Sequence, residues 1–272
     1  MVQVAGSVVV VTGGGNGIGR EVVLQLLGKG AHVVALDLSE VGLKETRVLA
    51  GTHDDRLSTR VVDVTDHDAV DALAADVVAS HGHVDGVVNV AGIIQRFVPV
   101  AQLERREIEK VVAVNFWGVV NVTTAFLPHL QARPAASLVN VASMGALVPF
   151  PGQSAYGASK AAVKLFTEGL QAEHEGTDLA VSIVFPGAIG TEITKNSGVE
   201  TPGGKPAAEA AAESAHRTTS PVDAARQIVA AVEKGTPRVR IGKDAVMLDR
   251  LARLMPSRSV QIIARKMRSL VS

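Results

Sequence analysis

The chain has 272 residues, 47% of them hydrophobic, with 27 basic and 27 acidic side chains and no cysteine. That is ample for one or two packed domains and excludes a disordered chain. Zero net charge removes any global pull toward nucleic acid or an anionic membrane, and the missing thiol excludes disulfides, cysteine-ligated zinc and thiol catalysis.

The valine run before Thr12 is too short to cross a bilayer, and neither a basic flank nor a cleavage site precedes it. It predicts a buried strand over Ser7–Thr12. No later run is taken as long enough to span, so the expected location is the cytoplasm. Further strands are predicted over His32–Leu36, Leu57–Val62, Val84–Val90, Ser137–Val141, Leu179–Phe185 and Arg238–Ile241. Most are valine-rich and continuous, as strands covered on both faces are. Between them, apolar residues at three- and four-residue spacings predict helices over Gly17–Lys29, Glu40–Gly51, Asp66–Ser80, Leu103–Gln131, Ser154–Glu175 and Pro221–Lys234. Strand–helix alternation implies parallel pairing with right-handed crossovers. The expected fold is α/β: a single-domain, Rossmann-type, doubly wound parallel sheet of about seven strands flanked by helices.

Between the first strand and first helix runs TGGGNGIGR, from Thr12 to Arg20. Gly13, Gly15, Asn16, Gly17, Ile18 and Gly19 form a turn that brings backbone close to a pyrophosphate at a helix N-terminus. Asp37 ends the second predicted strand. An acid there bonds the hydroxyls of an adenosine ribose and repels a 2′-phosphate, and no Arg or Lys occupies Gly14–Asn16 or Leu38 to offset it. The expected cofactor is therefore NAD, with NADP less favoured.

Tyr156 is the one tyrosine of the chain, and Lys160 follows a helical turn later on the same face. An ordinary phenol, with a pKa of about 10, is a poor base at neutral pH. A nearby ammonium favours the phenolate, so the pair is read as a general acid/base and the group that tunes it. Ser143 follows the fifth strand, and Asn115 interrupts an apolar helical stretch where a polar residue is unexpected.

Taken with the glycine spacing and the segments NVAG at Asn89–Gly92 and PGAIGT at Pro186–Thr191, these residues resemble the classical short-chain dehydrogenase/reductase family. The resemblance covers residues 5 to about 195. It implies a catalytic tetrad of Asn115, Ser143, Tyr156 and Lys160, with Lys160 also gripping the nicotinamide ribose and Asn115 holding a relay water. It implies that Asp63 and Val64 hold the adenine, and that Asn89, Ala91 and Gly92 border the cofactor, although valine stands where the family has a second asparagine. It further implies that Pro186 and Gly187 border the cofactor, that Ile189 bonds the nicotinamide carboxamide through its backbone with help from Thr191, and that the long helices pair subunits into a homotetramer or dimer. The implied activity is NAD(H)-dependent interconversion of a secondary alcohol and a ketone. A catalytically silent NAD-binding regulator and a lyase or epimerase on the same fold are the alternatives.

Substrate contacts are expected from Ile94, Met144, Phe150, Gln153 and Ile193. No basic cluster adjoins Tyr156, and no aromatic residue follows Phe185, so the expected substrate is small, uncharged and largely aliphatic. No metal site is expected, since the scattered histidines lack a carboxylate pair. The glycine- and proline-rich stretch at about 188–220 is read as a lid. The segment at about 244–272 is basic and amphipathic. It suits either a membrane surface or a helix pair packed on its own or a neighbouring subunit, and the second reading is preferred.

Overall fold

The computed structural model describes residues 2–191, 193–199 and 218–267. Its seven strands are β1 (Val8–Thr12), β2 (His32–Asp37), β3 (Leu57–Val61), β4 (Gly86–Asn89), β5 (Ala136–Val141), β6 (Leu179–Pro186) and β7 (Arg238–Ile241). They form one sheet in the order β3-β2-β1-β4-β5-β6-β7, and every neighbouring pair is parallel. Each predicted strand is present to within about two residues.

The helices are α1 (Gly17–Gly28), α2 (Glu40–Ala50), α3 (His67–His81), α4 (Arg105–Val112), α5 (Gly118–Gln131), α6 (Ser154–Glu173), α7 (Ile193–Asn196), α8 (Pro221–Lys234), α9 (Lys243–Leu254) and α10 (Pro256–Lys266). They cover both faces of the sheet, and β1 shows how. Successive side chains of a strand point to opposite faces. Val9 and Val11 join a core with Val23, Leu27 and, from α8, Ile228. Val8 and Val10 join the opposite core with Val77 of α3 and Phe126 of α5. A strand buried on both sides has no polar face to present, which explains the unbroken valines.

Several helix starts are closed by their own side chains. Ser39 accepts from Gly42 N, Asp66 from Ala69 N and Ser220 from Asp223 N. Helix α1 has no such closure: Asn16 at its start makes no capping bond. Its first N–H groups therefore face the crevice at the carboxyl ends of β1 and β4, where the strand order reverses.

The predicted long helix over Leu103–Gln131 is divided. Between α4 and α5, Ala113–Trp117 winds as a π-helical turn. Contrary to the expectation that no run is long enough, the continuous helix Arg105–Gln131 has the length and apolar composition to cross a membrane. Here Val119, Val122, Phe126 and Leu130 are buried, and the last three pack with the sheet core. Its apolar character is that of a core helix.

Of the expected lid, the described parts lie beside the crevice. Thr218–Ser220 returns to Ala188–Gly190 through Thr219 N to Ala188 O (2.9 Å) and Gly190 N to Thr219 O (3.1 Å). The remainder, Glu192 and residues 200–217, lies outside the described residues, as do residues 268–272 of the tail. The described tail forms α9 and α10, whose inner side chains Leu248 and Ile263 join Val148 in a small core. It thus packs on its own subunit.

Candidate active site

The crevice at the carboxyl ends of the strands is a cleft of about 500 Å³. Its phosphate end is built by glycines that admit no side chain. A Cβ on Gly19 would sit 2.0 Å from Gly13 O, and Gly13 itself has φ +70° with Ala91 N 3.0 Å from its missing Cβ. The turn is thus pressed against the end of β4. Thr12 secures the same junction, its Oγ1 accepting from Val90 N (3.0 Å) and Ala91 N (3.1 Å).

Asp37 closes the adenosine side. Its carboxylate accepts from Gly15 N and Ser39 N, each at 2.9 Å, and this holds it rigidly on the cleft wall. The nearest cation along the turn, Arg20, bonds Gly15 O and is paired with Glu45 at 2.6 Å. Asp63 and Val64 line the cleft beyond Asp37. Gly13, Asn16, Gly17, Ile18, Gly19, Ala91, Gly92 and Thr191 line it as well. The donor set fits a dinucleotide: free helix N–H groups for the pyrophosphate, a fixed carboxylate for ribose hydroxyls, and apolar walls for the adenine.

Several residues enter the site that the sequence did not single out. Helix α7 leans over the phosphate turn, with Asn196 Nδ2 donating to Asn16 Oδ1 at 3.0 Å. Asn196, Lys110 and Val114 line the cleft. No local pattern marks them, because they reach the cleft through segments distant in sequence.

Other expected cofactor residues lie off the cleft lining. Asn89 is buried, donating to Asn140 Oδ1 (2.9 Å) and Thr123 Oγ1 (3.3 Å); Asn140 in turn donates to Thr167 Oγ1 (3.0 Å). This chain ties β4 and β5 to α5 and α6, and Asn89 does not border the cleft. Pro186, Gly187 and Ile189 also lie off the cleft lining. Gly187 N bonds Ile241 O, and Ala188 N donates to the Asp244 carboxylate at 2.7 Å. A Cβ on Gly187 would lie 2.1 Å from Asp244 Oδ1, so glycine lets this carboxylate support the turn from below.

At the reacting end, the π-helical turn aims Asn115 inward, where it is fully buried. Its Nδ2 donates to Ile93 O (2.9 Å) and Ser159 Oγ (3.0 Å), and its Oδ1 accepts from Ile93 N (2.8 Å). Such a bulge supplies the extra backbone freedom that turns one side chain into the core. Lys160 is 3% exposed and donates to Val141 O at 3.1 Å. The missing side chain of Gly92 leaves room between Lys160 Nζ and Asn115 Oδ1, which lie 3.1 and 3.2 Å from where its Cβ would stand.

Burial lowers the Lys160 pKa from 10.5 to about 8, because little surrounds the ammonium to replace water. Tyr156 is raised above its ordinary value of 10.0, also by burial, while a hydrogen bond with the Ser143 side chain pulls the other way. The expected lowering by Lys160 is therefore not the dominant effect; desolvation of the phenolate is larger. Ser143 Oγ also accepts from Gly145 N at 3.1 Å, which orients it toward the phenol.

The expected substrate residues separate into two groups. Met144 and Phe150 pack on the small core that α9 and α10 complete, so the tail supports that wall. Ile94 is buried, with its N–H donating to Ser197 Oγ at 3.0 Å, and Ile193 lines the cofactor cleft. Gln153 is held by a second glutamine. Its Nε2 donates to Gln95 O (3.1 Å), while Gln95 donates to Gly152 O (3.1 Å) and accepts from Tyr156 N (2.9 Å). The two glutamines thus clamp the start of α6 and set the position of Tyr156.

The fold and cleft define an α/β protein suited to a dinucleotide, with half-buried Ser143 and Tyr156 and buried Lys160 and Asn115 grouped beside the cleft wall at Gly92 and Ile93. The short chain dehydrogenase profile matches residues 7–201. SadH of Mycobacterium tuberculosis is 39% identical over 261 residues, spanning 95% of this chain and 94% of that one. A short-chain dehydrogenase structure from Streptomyces avermitilis superposes with TM-score 0.79 at 30% identity, covering 96% of this chain and 97% of that one. A Burkholderia phymatum short-chain dehydrogenase/reductase solved with NAD shares the fold at TM-score 0.82 and 24% identity, covering 93% and 95% of the two chains. This chain belongs to the short-chain dehydrogenase/reductase family of oxidoreductases, whose cofactor is a nicotinamide dinucleotide.

Proposed function

We propose that the protein is an NAD(H)-dependent oxidoreductase that interconverts a secondary alcohol and a ketone, with Tyr156 as general acid/base. The observation that carries this reading is the grouping of Ser143, Tyr156, Lys160 and Asn115, the last two against Gly92 and Ile93 of a cleft whose lining also includes Asp37 and the glycine turn. A binding-only protein has no need of a buried ammonium one helical turn from a half-buried phenol, since burying the charge costs stability.

The nicotinamide, when bound, accepts hydride from the alcohol carbon or donates it to the carbonyl carbon. The chain handles the proton. In oxidation Tyr156 Oη takes the alcohol proton, and in reduction it gives one to the carbonyl oxygen. Ser143 Oγ, already bonded to the phenol, donates to the same substrate oxygen and keeps it within reach. With a pKa of about 8, Lys160 is mostly an ammonium near neutral pH, and its charge favours the phenolate at the moment Tyr156 must give up its proton. Asn115, locked by Ile93 and Ser159, holds the backbone beside Lys160 in place. General acid–base work of this kind is worth about 10²–10⁴ in rate.

The rigid Asp37 carboxylate supports NAD over NADP, because a 2′-phosphate beside it would meet an unpaired like charge. The apolar wall of Met144, Val148 and Phe150 supports an uncharged, largely aliphatic substrate. Trp117 and Leu165 project from the long helical segments at 54% and 70% exposure, which supports pairing of subunits there.

The test is absorbance at the NADH band with NAD⁺ or NADP⁺ and a panel of aliphatic, steroidal and polyol alcohols, run beside Tyr156→Phe. Turnover with NAD⁺ that falls by about 10² or more in the variant is expected. Tight NAD binding without turnover on any alcohol, or full turnover in the variant, would overturn the assignment.

A further inference from the structure

We propose that the outward face of the α9–α10 pair docks on an anionic lipid bilayer. The inner face of the pair is accounted for, since Leu248 and Ile263 are buried against Val148 beside Met144 and Phe150. The outward face is not. Met247, Leu254, Met255 and Val260 are 57%, 80%, 36% and 46% exposed, an unusual set of large apolar side chains for a face with no neighbour in its own subunit.

The charges beside them have one sign. From Arg250 to Met267 there is no aspartate or glutamate. Arg250, Arg258, Arg265 and Lys266 are exposed, and among the described residues none has a carboxylate partner. The nearest acid, Asp249, is 2% exposed and already shared by Arg238, Arg240 and Arg253, so it neutralises nothing outside. The chain as a whole is neutral, which makes this a local concentration of cations and not a general property.

Protruding apolar side chains interleaved with unpaired cations are what an interfacial helix uses. The apolar groups enter the boundary between headgroups and acyl chains while the cations meet anionic headgroups. Leu254, Met255 and Pro256 are consecutive and exposed at the junction between the two helices, so apolar side chains are gathered there for insertion into a soft surface. Because the inner face of the same pair backs Met144 and Phe150, docking would set the proposed substrate wall next to the lipid; that consequence alone rests on the proposed function.

The test is co-sedimentation of the full chain with vesicles of phosphatidylcholine alone or of phosphatidylcholine containing phosphatidylglycerol. Binding is expected only with phosphatidylglycerol, weakening as salt rises through about 0.1 M, where the screening length falls to about 10 Å. A cation near such a surface contributes about fivefold in affinity. The Arg258→Gln, Arg265→Gln double variant should therefore lose about thirtyfold, with an unchanged circular dichroism spectrum because both side chains are solvated. Leu254→Ser with Val260→Ser should weaken binding without changing its salt dependence. Failure of the unaltered protein to sediment with anionic vesicles overturns the proposal, as does undiminished binding by the arginine variant. Light scattering runs alongside: if these substitutions change the oligomeric mass and leave vesicle binding intact, the face belongs to a second copy of the chain and the lipid assignment is wrong. None of these readouts depends on turnover, so they stand or fall separately from the assigned reaction.

Discussion

Replacing Lys160 by methionine should make the protein more stable near neutral pH while removing its activity. Burial moves the lysine from 10.5 to about 8. At about 1.4 kcal/mol per unit, the folded state carries a penalty of about 3 kcal/mol for holding the ammonium. Methionine has similar length and no charge, so the penalty disappears. Against this stands the lost hydrogen bond to Val141 O, worth about 1 kcal/mol. A net gain of about 2 kcal/mol is expected below pH 8. Because the folded pKa lies below the unfolded one, the unfolded chain holds more protons between about 8 and 10.5, and the stability of the unaltered protein rises with pH across that window. Above it the lysine is neutral in both states, and the variant loses its advantage. The assay is urea unfolding followed by far-ultraviolet circular dichroism at several pH values, at one protein concentration, comparing midpoints at equal slope. Tyr156 titrates in both proteins and largely cancels in the difference. A stability difference that stays flat from neutral pH to beyond 10.5, or a variant less stable near neutrality, would refute the reasoning that burial controls this lysine.

Three further outcomes follow from the same geometry. Asp37→Ser should let NADP⁺ compete by relieving the charge beside a 2′-phosphate, shifting the NAD⁺/NADP⁺ ratio of kcat/KM toward NADP⁺ by about tenfold or more; an unchanged ratio would show that selection lies elsewhere. Gly19→Ala places a methyl 2.0 Å from Gly13 O, so the turn must move, and cofactor binding measured by calorimetry should weaken by at least about tenfold; unaltered affinity would mean the turn is softer than its packing implies. Asp244→Ala removes the acceptor that holds Ala188 N, and should raise KM for the cofactor more than KM for the alcohol while costing about 1–2 kcal/mol of stability; equal effects on both KM values would mark Asp244 as a general scaffold residue.

The layout of the sheet was legible because its causes are local or periodic. Valine runs separated by helical spacings read as strands sandwiched between helices, and the glycines of TGGGNGIG mark a turn where side chains are forbidden. The same local logic exposed Tyr156, Lys160 and Ser143, and the break in polarity at Asn115. Other assignments depended on partners that no spacing reveals. Asn89 reads as bordering the cofactor at a strand end; that its amide bonds Asn140 and Thr123 follows from buried groups on β5 and α5 that no spacing reveals. Gln153 reads as a pocket residue, yet Gln95, far back in the chain, claims it.

Sequence alone therefore determined the fold class and the phosphate turn, since each follows from short-range periodicity or backbone sterics, and it singled out the side chains proposed to react by their chemistry and by the family resemblance. Tertiary structure decided what those groups experience. It turned Asn115 into the core through a π-helical turn, brought Asp244 beneath Ala188 and Asn196 over Asn16, and packed the C-terminal helices behind Met144 and Phe150. It also raised the phenol and lowered the ammonium, because a pKa depends on how much water packing removes, and that is set only when distant segments close around the site.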